Sequence, residues 1–160
     1  MIIRILGIAV GVYAAIVLAL MWWWDYEPDV FDVRAAAEEH AASTGQTMVT
    51  GYITTHTVIK IADTLLTKRG GFMSNDMFPP GLWMDNVPEW EFGALTQLRD
   101  AARAFRIDFS RSQSQSQEDK HLSEAEGRFF FDNSSWAFPQ SEDEYRAGIR
   151  LFEKYLTRLA

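Results

Sequence analysis

Three histidines are the side chains of this sequence best suited to acid–base or metal chemistry. His56, in the stretch TTHTVIKIAD, is followed by Lys60 one helical turn on and by Asp63 two turns on. A general base held by a carboxylate needs hydrogen-bond reach, whereas two turns of helix separate such a pair by about 10 Å. The spacing therefore favours a half-buried polar position for His56 over a catalytic dyad.

The other two histidines have neighbours that resemble metal ligands without completing a site. Glu118 and His121 have the i, i+3 spacing of di-metal carboxylate bundles, but those sites need the motif twice and two further glutamates. His40 directly follows Glu38 and Glu39, and adjacent residues on a helix do not face one another. The sequence also lacks HExxH, GxSxG, a phosphate-binding glycine loop and a dinucleotide fingerprint. We expect no catalytic residue, no metal and no cofactor.

The element that positions everything else is an apolar run from Ile5 to Trp24, ILGIAVGVYAAIVLALMWWW. A helix of about 20 residues spans about 30 Å, the thickness of the hydrocarbon core of a bilayer. Lipid offers no hydrogen-bond partners to the backbone, so such a run crosses as a helix. The alternative is a cleaved signal peptide with a processing site at residues 17–19. The run continues past that site and exceeds a signal core of about 7–15 residues, which favours an uncleaved anchor.

The charges around this run predict its orientation. Arg4 is the only basic side chain before it, and acidic residues precede Arg34 after it. Flanking lysine and arginine stay in the cytoplasm, so residues 1–4 form a cytoplasmic tail, 5–24 a transmembrane helix and 25–160 an extracytoplasmic domain. Aromatic side chains at the outer end predict a membrane-interface anchor, made of Trp22, Trp23, Trp24 and Tyr26.

Small residues recur at every fourth position of the predicted membrane helix, and they are Gly7, Gly11, Ala15 and Ala19. This spacing places them along one stripe, where the backbone of a second helix can approach closely. Glycine is common in membrane helices, so a lone anchor with incidental small residues remains the alternative.

Composition excludes several classes of partner for the rest of the chain. The 160 residues carry a formal net charge of −7 and contain no cysteine. An acidic surface argues against nucleic acid, and the absence of a polybasic patch argues against docking on anionic lipid. Without disulfides or zinc–thiolate sites, the domain must be stabilised by its core alone.

The periodicity predicts an all-α domain interrupted by loops. One helix is expected over residues 29–42 and another over 46–67, where a local strand is the alternative because of the Thr, Val and Ile content. Gly70 and Gly71 predict a left-handed end to the second helix. A further stripe runs along Phe92, Leu95, Leu98, Ala102, Phe105 and Phe109. Ser141 with Glu144 predicts a capping box that opens a last helix. Loops are expected over 72–91, 110–117 and 127–139.

The Pro-, Met- and Trp-rich loop FMSNDMFPPGLWMDNVPEWE is the best candidate for a functional surface. We take its large apolar side chains as a candidate partner-binding set, namely Phe78, Trp83, Met84 and Trp90. Two alternatives stay open: the loop caps the helical core, or its aromatic residues lie on the membrane interface.

Three stretches carry a resemblance to a known family: KRGGFMSNDMFPPGLWMDNVPEWEFGALTQLRDAARAFR, DFSRSQSQSQED and FDNSSWAFPQSEDEYRAGI. Together they resemble an uncharacterised family of bacterial inner-membrane proteins known only as the domain of unknown function DUF2333. The resemblance implies a membrane-anchored, mostly helical protein of Gram-negative bacteria and supplies no activity. Because its members continue further and the last helix here is uncapped, we expect the chain to be the N-terminal portion of a longer protein.

The sequence leads to one functional hypothesis and two alternatives. The first is a non-enzymatic inner-membrane protein with a periplasmic domain, acting as a subunit or scaffold of an envelope complex. Its partners would be the lipid bilayer and either other membrane subunits or a second copy bound through the small-residue stripe. The alternatives are an envelope hydrolase using His56 with nearby carboxylates, and a periplasmic sensor that binds a ligand between helices.

Overall fold

The structure is a computed structural model that describes residues 1–109 and 119–160. These residues form six α-helices, and the all-α prediction is confirmed. In chain order the helices are α1 Ile2–Trp24, α2 Val33–Thr44, α3 Tyr52–Thr67, α4 Asn86–Ala104, α5 Lys120–Phe129 and α6 Ser141–Leu159. A short 3₁₀ turn, Gly81–Trp83, lies between α3 and α4, and a π-helical turn, Phe105–Phe109, continues α4.

Helix α1 lies outside the core formed by the other helices. It is long and apolar enough to cross a membrane, and a signal sequence passes the same test of length and composition. Among the described residues, the buried core cluster includes side chains from α2 to α6 but none from α1. The apolar surface of α1 therefore remains exposed along most of its length.

The core lies between four helices that pack in a closed ring. Helix α3 packs on α4 and α6, and α5 packs on α4 and α6, while α2 lies against α3. The fully buried apolar side chains include Tyr52 and Leu65 of α3, Leu95 and Leu98 of α4, Leu122 and Phe129 of α5, and Tyr145, Phe152 and Leu156 of α6. Together with the other buried residues of each helix they follow three- and four-residue intervals, which is why each helix turns one apolar face inward.

Helices α2 and α3 begin later than the sequence pattern predicts. The carboxylate of Asp32 accepts hydrogen bonds from the backbone N–H groups of Arg34 and Ala35, and this cap starts α2 at Val33 instead of residue 29. Gly51, with φ +90°, precedes α3, so residues 46–51 are not helical. The predicted left-handed glycines after α3 are confirmed, since Gly70 and Gly71 have φ of +81° and +72°.

The predicted loop over residues 72–91 is too long, because α4 begins at Asn86. The side chain of Asp85 accepts from the Asn86 N–H, and Pro88 is tolerated in the first turn, where the N–H groups have no intrahelical partner. Trp90 therefore belongs to a helix. Of the predicted stripe on this helix, Phe92 and Phe109 are exposed, while its four middle positions are buried.

Two further predictions about the C-terminal half are wrong. The predicted loop over residues 127–139 begins too early, because helix α5 continues to Phe129. The sequence pattern does not predict this helix, although Asp119 caps it and Leu122, Ala125 and Phe129 form its buried face. The capping box at Ser141 does not form, because Gln140 precedes the helix and the Ser141 hydroxyl donates to loop carbonyl groups instead. The predicted Ser/Gln loop over residues 110–117, and Glu118 of the candidate metal motif, lie outside the described residues.

Candidate functional site

The C-terminal turn of α1 packs against the segment that follows α3. A Cβ atom placed on Gly70 would lie 2.8 Å from Cδ2 of Trp24, so only glycine lets this indole approach. Beside it, the guanidinium carbon of Arg69 lies 4.4 Å from the ring centre of Trp23 and 3.9 Å from that of Tyr26. These are cation–π distances. Three of the four predicted interface-anchor residues therefore also contact the helical domain, whereas Trp22 remains exposed.

A buried ion pair fixes the backbone just after this contact. The side chain of Lys68 is 3% exposed and that of Glu91 is fully buried, and the ammonium group donates to the Glu91 carboxylate and to the Gly71 carbonyl. The same carboxylate accepts the backbone N–H of Met73 at 2.8 Å and that of Ser74 at 2.7 Å, together with the Ser74 hydroxyl. We call this the Lys68–Glu91 node. It joins the end of α3, the segment after it and the first turns of α4.

The node continues into a second loop through Asn75. The side-chain amide of Asn75 donates to the Ser135 carbonyl and to a carboxylate oxygen of Glu142, both at 2.8 Å. The buried Ser141 hydroxyl donates to the same Ser135 carbonyl at 2.9 Å. The loop over residues 130–140 is therefore tied to the same end of the helical ring, where it exposes Trp136 and Phe138.

The segment between α3 and α4 divides into a buried half and an exposed half. Phe72 and Met73 are buried, so this part of the loop caps the core. Met77 to Met84 carries no charge, and it exposes Phe78, Leu82 and Trp83, which are 76%, 57% and 60% accessible. We call residues 77–84 the aromatic turn. The Leu82 N–H bonds to the Phe78 carbonyl at 3.2 Å, so Phe78 and Leu82 lie one turn apart.

Asp76 is turned away from the aromatic turn's outer surface and toward its interior. Its carboxylate packs against Gly81, where a Cβ atom would overlap it. Burial raises the pKa of Asp76, the charges of Glu91 and Glu142 raise it further, and Lys68 opposes them. Asp76, which directly precedes the aromatic turn, therefore helps to shape the fold of the turn.

Three of the four predicted partner-binding residues lie around the end of α1. Trp83 and the partly buried Met84 line a cavity of about 240 Å³ together with Met21 and Trp22 of α1. Trp90 faces a neighbouring cavity of about 350 Å³, whose other walls include residues 25–28 of the connection after α1. The structure thus brings Trp83, Met84 and Trp90 to one region, and Phe78 adjoins it through the aromatic turn. Partner binding by this set stays a prediction.

The small-residue stripe lies on an open face of α1. Gly7, Gly11, Ala15 and Ala19 are all exposed, and nothing in the described part of the chain outside the helix's own backbone lies within 4 Å of a Cβ placed on either glycine. The stripe therefore makes no packing contact with the domain at its glycines. Its role in binding a second helix stays a prediction.

His56 is fully in the core, and its neighbour is a residue that spacing along the chain does not suggest. It is 6% exposed, and its ring centre lies 4.7 Å from that of His40 on α2. Among the described residues its Nδ1 has no hydrogen-bond partner. Burial lowers the pKa of His56, and the charges of His40 and Lys60 lower it further. His56 is therefore more buried than the half-buried position that the sequence predicts. The group packed on its imidazole is the imidazole of His40.

Metal chemistry finds no support in the part of the chain that the structure describes. Residues 1–109 and 119–160 contain no group of three or more His, Cys, Asp or Glu side chains placed to hold an ion.

The sequence pattern predicts neither the Lys68–Glu91 node nor the His40–His56 pair. Lys68 and Glu91 are 23 residues apart, and no local pattern signals their pairing.

The fold and this site define an all-α protein with an exposed N-terminal apolar helix whose last turn packs on a helical domain. The chain belongs to the family described as "Uncharacterized protein conserved in bacteria (DUF2333)", which matches residues 1–160. Comparison with curated proteins and with solved structures gives no match.

Proposed function

We propose that this protein is a single-pass inner-membrane protein whose periplasmic helical domain is an interaction subunit or scaffold of an envelope complex. In this proposal residues 5–24 of α1 are the uncleaved transmembrane anchor, and residues 1–4 are in the cytoplasm. Its partners are the lipid bilayer and either other membrane subunits or a second copy of this chain, and no nucleic acid.

The observation that carries the proposal is the combination of an exposed apolar helix with a fixed attachment at its outer end. Burying apolar surface is worth about 25 cal/mol per Å², so a helix that leaves most of its apolar surface exposed is stabilised by lipid or by another helix. The packing of Trp24 on Gly70 and the position of Arg69 over Trp23 and Tyr26 support an anchor retained in the folded protein.

The small residues of α1 support a role in assembly. Without a hydrophobic drive between helices in lipid, close backbone approach at Gly and Ala positions is what favours association. The open face around Gly7 and Gly11 leaves room for such an approach.

The test uses membranes from cells that express the full chain. We expect the protein to resist alkaline carbonate extraction and, after solubilisation in a mild non-ionic detergent, to migrate in a complex larger than its monomer of 18.3 kDa. Ala15→Leu, which fills the stripe, should release the monomer. Ala9→Leu is the matched control, because at 100° per residue Ala9 lies on the other side of the helix.

Two outcomes would contradict the proposal. Release of the protein by carbonate would remove the anchor, and a monomer both in detergent and after crosslinking in intact membranes would remove the assembly role. Because the chain has no cysteine, an introduced Ala15→Cys further separates the two kinds of partner. A disulfide-linked dimer identifies a second copy, whereas a larger complex without that dimer identifies another subunit.

A further inference from the structure

We infer that the aromatic turn, residues 77–84, is a second membrane contact that lies in the lipid interface beside the end of α1 and orients the helical domain on the bilayer. The inference rests on the anchor role of α1 proposed above. It assigns one occupant to this surface, the headgroup and upper acyl region of a lipid bilayer.

The first argument is depth. Trp83 and Met84 share a cavity with Met21, Trp22 and Asp25, so the turn lies beside the last apolar residues of α1 and the first charge after them. If Trp22 is at the level of the lipid headgroups, as its place at the end of the apolar run requires, Trp83 is at that level too. Tryptophan rings favour this zone because the body of the ring is apolar and its N–H is polar.

The second argument is the chemistry of the turn. Eight consecutive residues, Met77 to Met84, are uncharged, and the exposed ones include Met77, Phe78, Leu82 and Trp83. The acidic residue that precedes them, Asp76, is folded against Gly81. Entry of residues 77–84 into the interface therefore buries apolar surface without dehydrating an ionised side chain of the turn itself, which would be costly.

The third argument is rigidity. Backbone N–H groups of Met73 and Ser74 are held by Glu91, and Asn75 is held by Ser135 and Glu142. The turn is thus presented from a fixed base, and its own Leu82 and Trp83 N–H groups are bonded within it. An apolar turn on a fixed base keeps its exposed side chains together, which favours a permanent contact surface over a flexible connection.

The electrostatics of this end predict which lipids it uses. Asp25 and Asp85 flank the turn, and Arg69 is occupied by the rings of Trp23 and Tyr26. The surface has no excess of basic side chains to attract anionic lipid. Insertion is therefore expected to be the same in phosphatidylcholine vesicles and in vesicles that also contain phosphatidylglycerol.

The experiment exploits the absence of cysteine. Leu82→Cys is labelled with an environment-sensitive nitrobenzoxadiazole dye, and the full chain is reconstituted in phosphatidylcholine vesicles. Met48→Cys is the control, because its connection lies at the other end of the ring, where Gln46 bonds Thr157 near the end of α6. Helix α6 separates the two ends by about 28 Å. Phe78→Cys provides a second probe in the turn.

We expect the dye at Leu82→Cys and Phe78→Cys to be quenched by phospholipids with a spin label near the headgroup and to resist iodide. The dye at Met48→Cys should show the reverse, with an iodide quenching constant several-fold larger. Circular dichroism of each labelled variant confirms the helical fold.

Three results would overturn the inference. Equal iodide quenching at Leu82→Cys and Met48→Cys, in protein that still resists carbonate, would place the turn in water and leave the anchor role intact. Protection of Leu82→Cys from both quenchers would mean that protein covers the turn. Release of the chain by carbonate would remove the anchor and this inference together.

Discussion

Two buried polar sites on α3 differ in how their hydrogen-bonding groups are satisfied. The Lys68–Glu91 node, at the end of the helix, pairs opposite charges and saturates the carboxylate with backbone and hydroxyl donors. The His40–His56 pair, nearer its start, places two rings in contact and leaves Nδ1 of His56 without a partner among the described residues. The node therefore stabilises a single folded arrangement, whereas His56 makes the stability of the fold depend on pH.

The node has the features of a fixed structural site. A buried charge that loses its partner is destabilising by about 3–5 kcal/mol, because the remaining charge stays dehydrated. His56 can instead stay buried by remaining neutral, because burial lowers its pKa. Its protonation would add a dehydration cost and, next to a charged His40 or Lys60, a like-charge repulsion.

The largest expected effect is that of Glu91→Ala. It leaves the Lys68 ammonium without an opposite charge and the N–H groups of Met73 and Ser74 without the Glu91 carboxylate, so the free energy of unfolding should fall by about 3–5 kcal/mol. Urea unfolding of the full chain in a mild detergent, followed by circular dichroism, measures it. Asp100→Ala, an exposed acid on the same helix, is the control and should change stability by less than about 0.5 kcal/mol. Equal effects of the two variants would show that the node contributes nothing beyond surface charge.

The second largest expected effect is that of Gly81→Ala, which tests the segment between α3 and α4. Gly81→Ala introduces a Cβ where the Asp76 carboxylate lies, and such overpacking costs about 1–3 kcal/mol. Gly93→Ala on α4 is the matched change in open space and should stabilise the protein by about 0.5–1 kcal/mol. Urea midpoints that move in opposite directions would confirm the difference. A stabilising Gly81→Ala would mean that Asp76 is free to leave its place.

The pH dependence of stability tests the histidine pair. The pKa of folded His56 lies below its ordinary value of 6.5, so the unfolded chain binds more protons at acidic pH. The contribution of His56 to stability is complete above about pH 6.5 and is lost as the pH falls toward the folded pKa. The free energy of unfolding of the wild type, taken relative to that of His56→Phe, should therefore be smaller at pH 5 than at pH 7.5. Urea unfolding of both proteins at the two pH values measures it, and parallel pH curves would show that His56 does not titrate differently on folding.

The sequence alone predicts those features that depend on one local stretch of the chain. The uncharged apolar run predicts α1, and Gly70 and Gly71 predict the positive φ angles after α3. The inward face of α6 follows equally from Tyr145, Ile149 and Phe152. Helix α5 has a cap and an apolar face but is not predicted, because it follows a low-complexity run and precedes an aromatic loop.

The sites depend on contacts between distant parts of the chain, which is why the sequence does not predict them. Lys68 has the pattern of a basic residue at a helix end and Glu91 that of a loop residue, and only the packing of α4 on α3 brings them together. In the sequence, His40 can be related only to its chain neighbours Glu38 and Glu39, although its partner, His56, lies on the next helix. The aromatic residues stand out by type, but their position beside α1 requires the fold.

The smallest expected effect separates the charge of His40 from the other two causes of the lowered pKa of His56, which are burial and the charge of Lys60. Burial is the larger cause, and the charge of His40 is the next. His40→Gln removes the second and retains the first, so the pKa of His56 should rise toward 6.5 without reaching it. Proton NMR titration of the His56 ring measures this directly. If the pKa instead reaches its ordinary value, neither burial nor Lys60 contributes to the shift. If the pKa of His56 does not change, the charge of His40 has no effect on it.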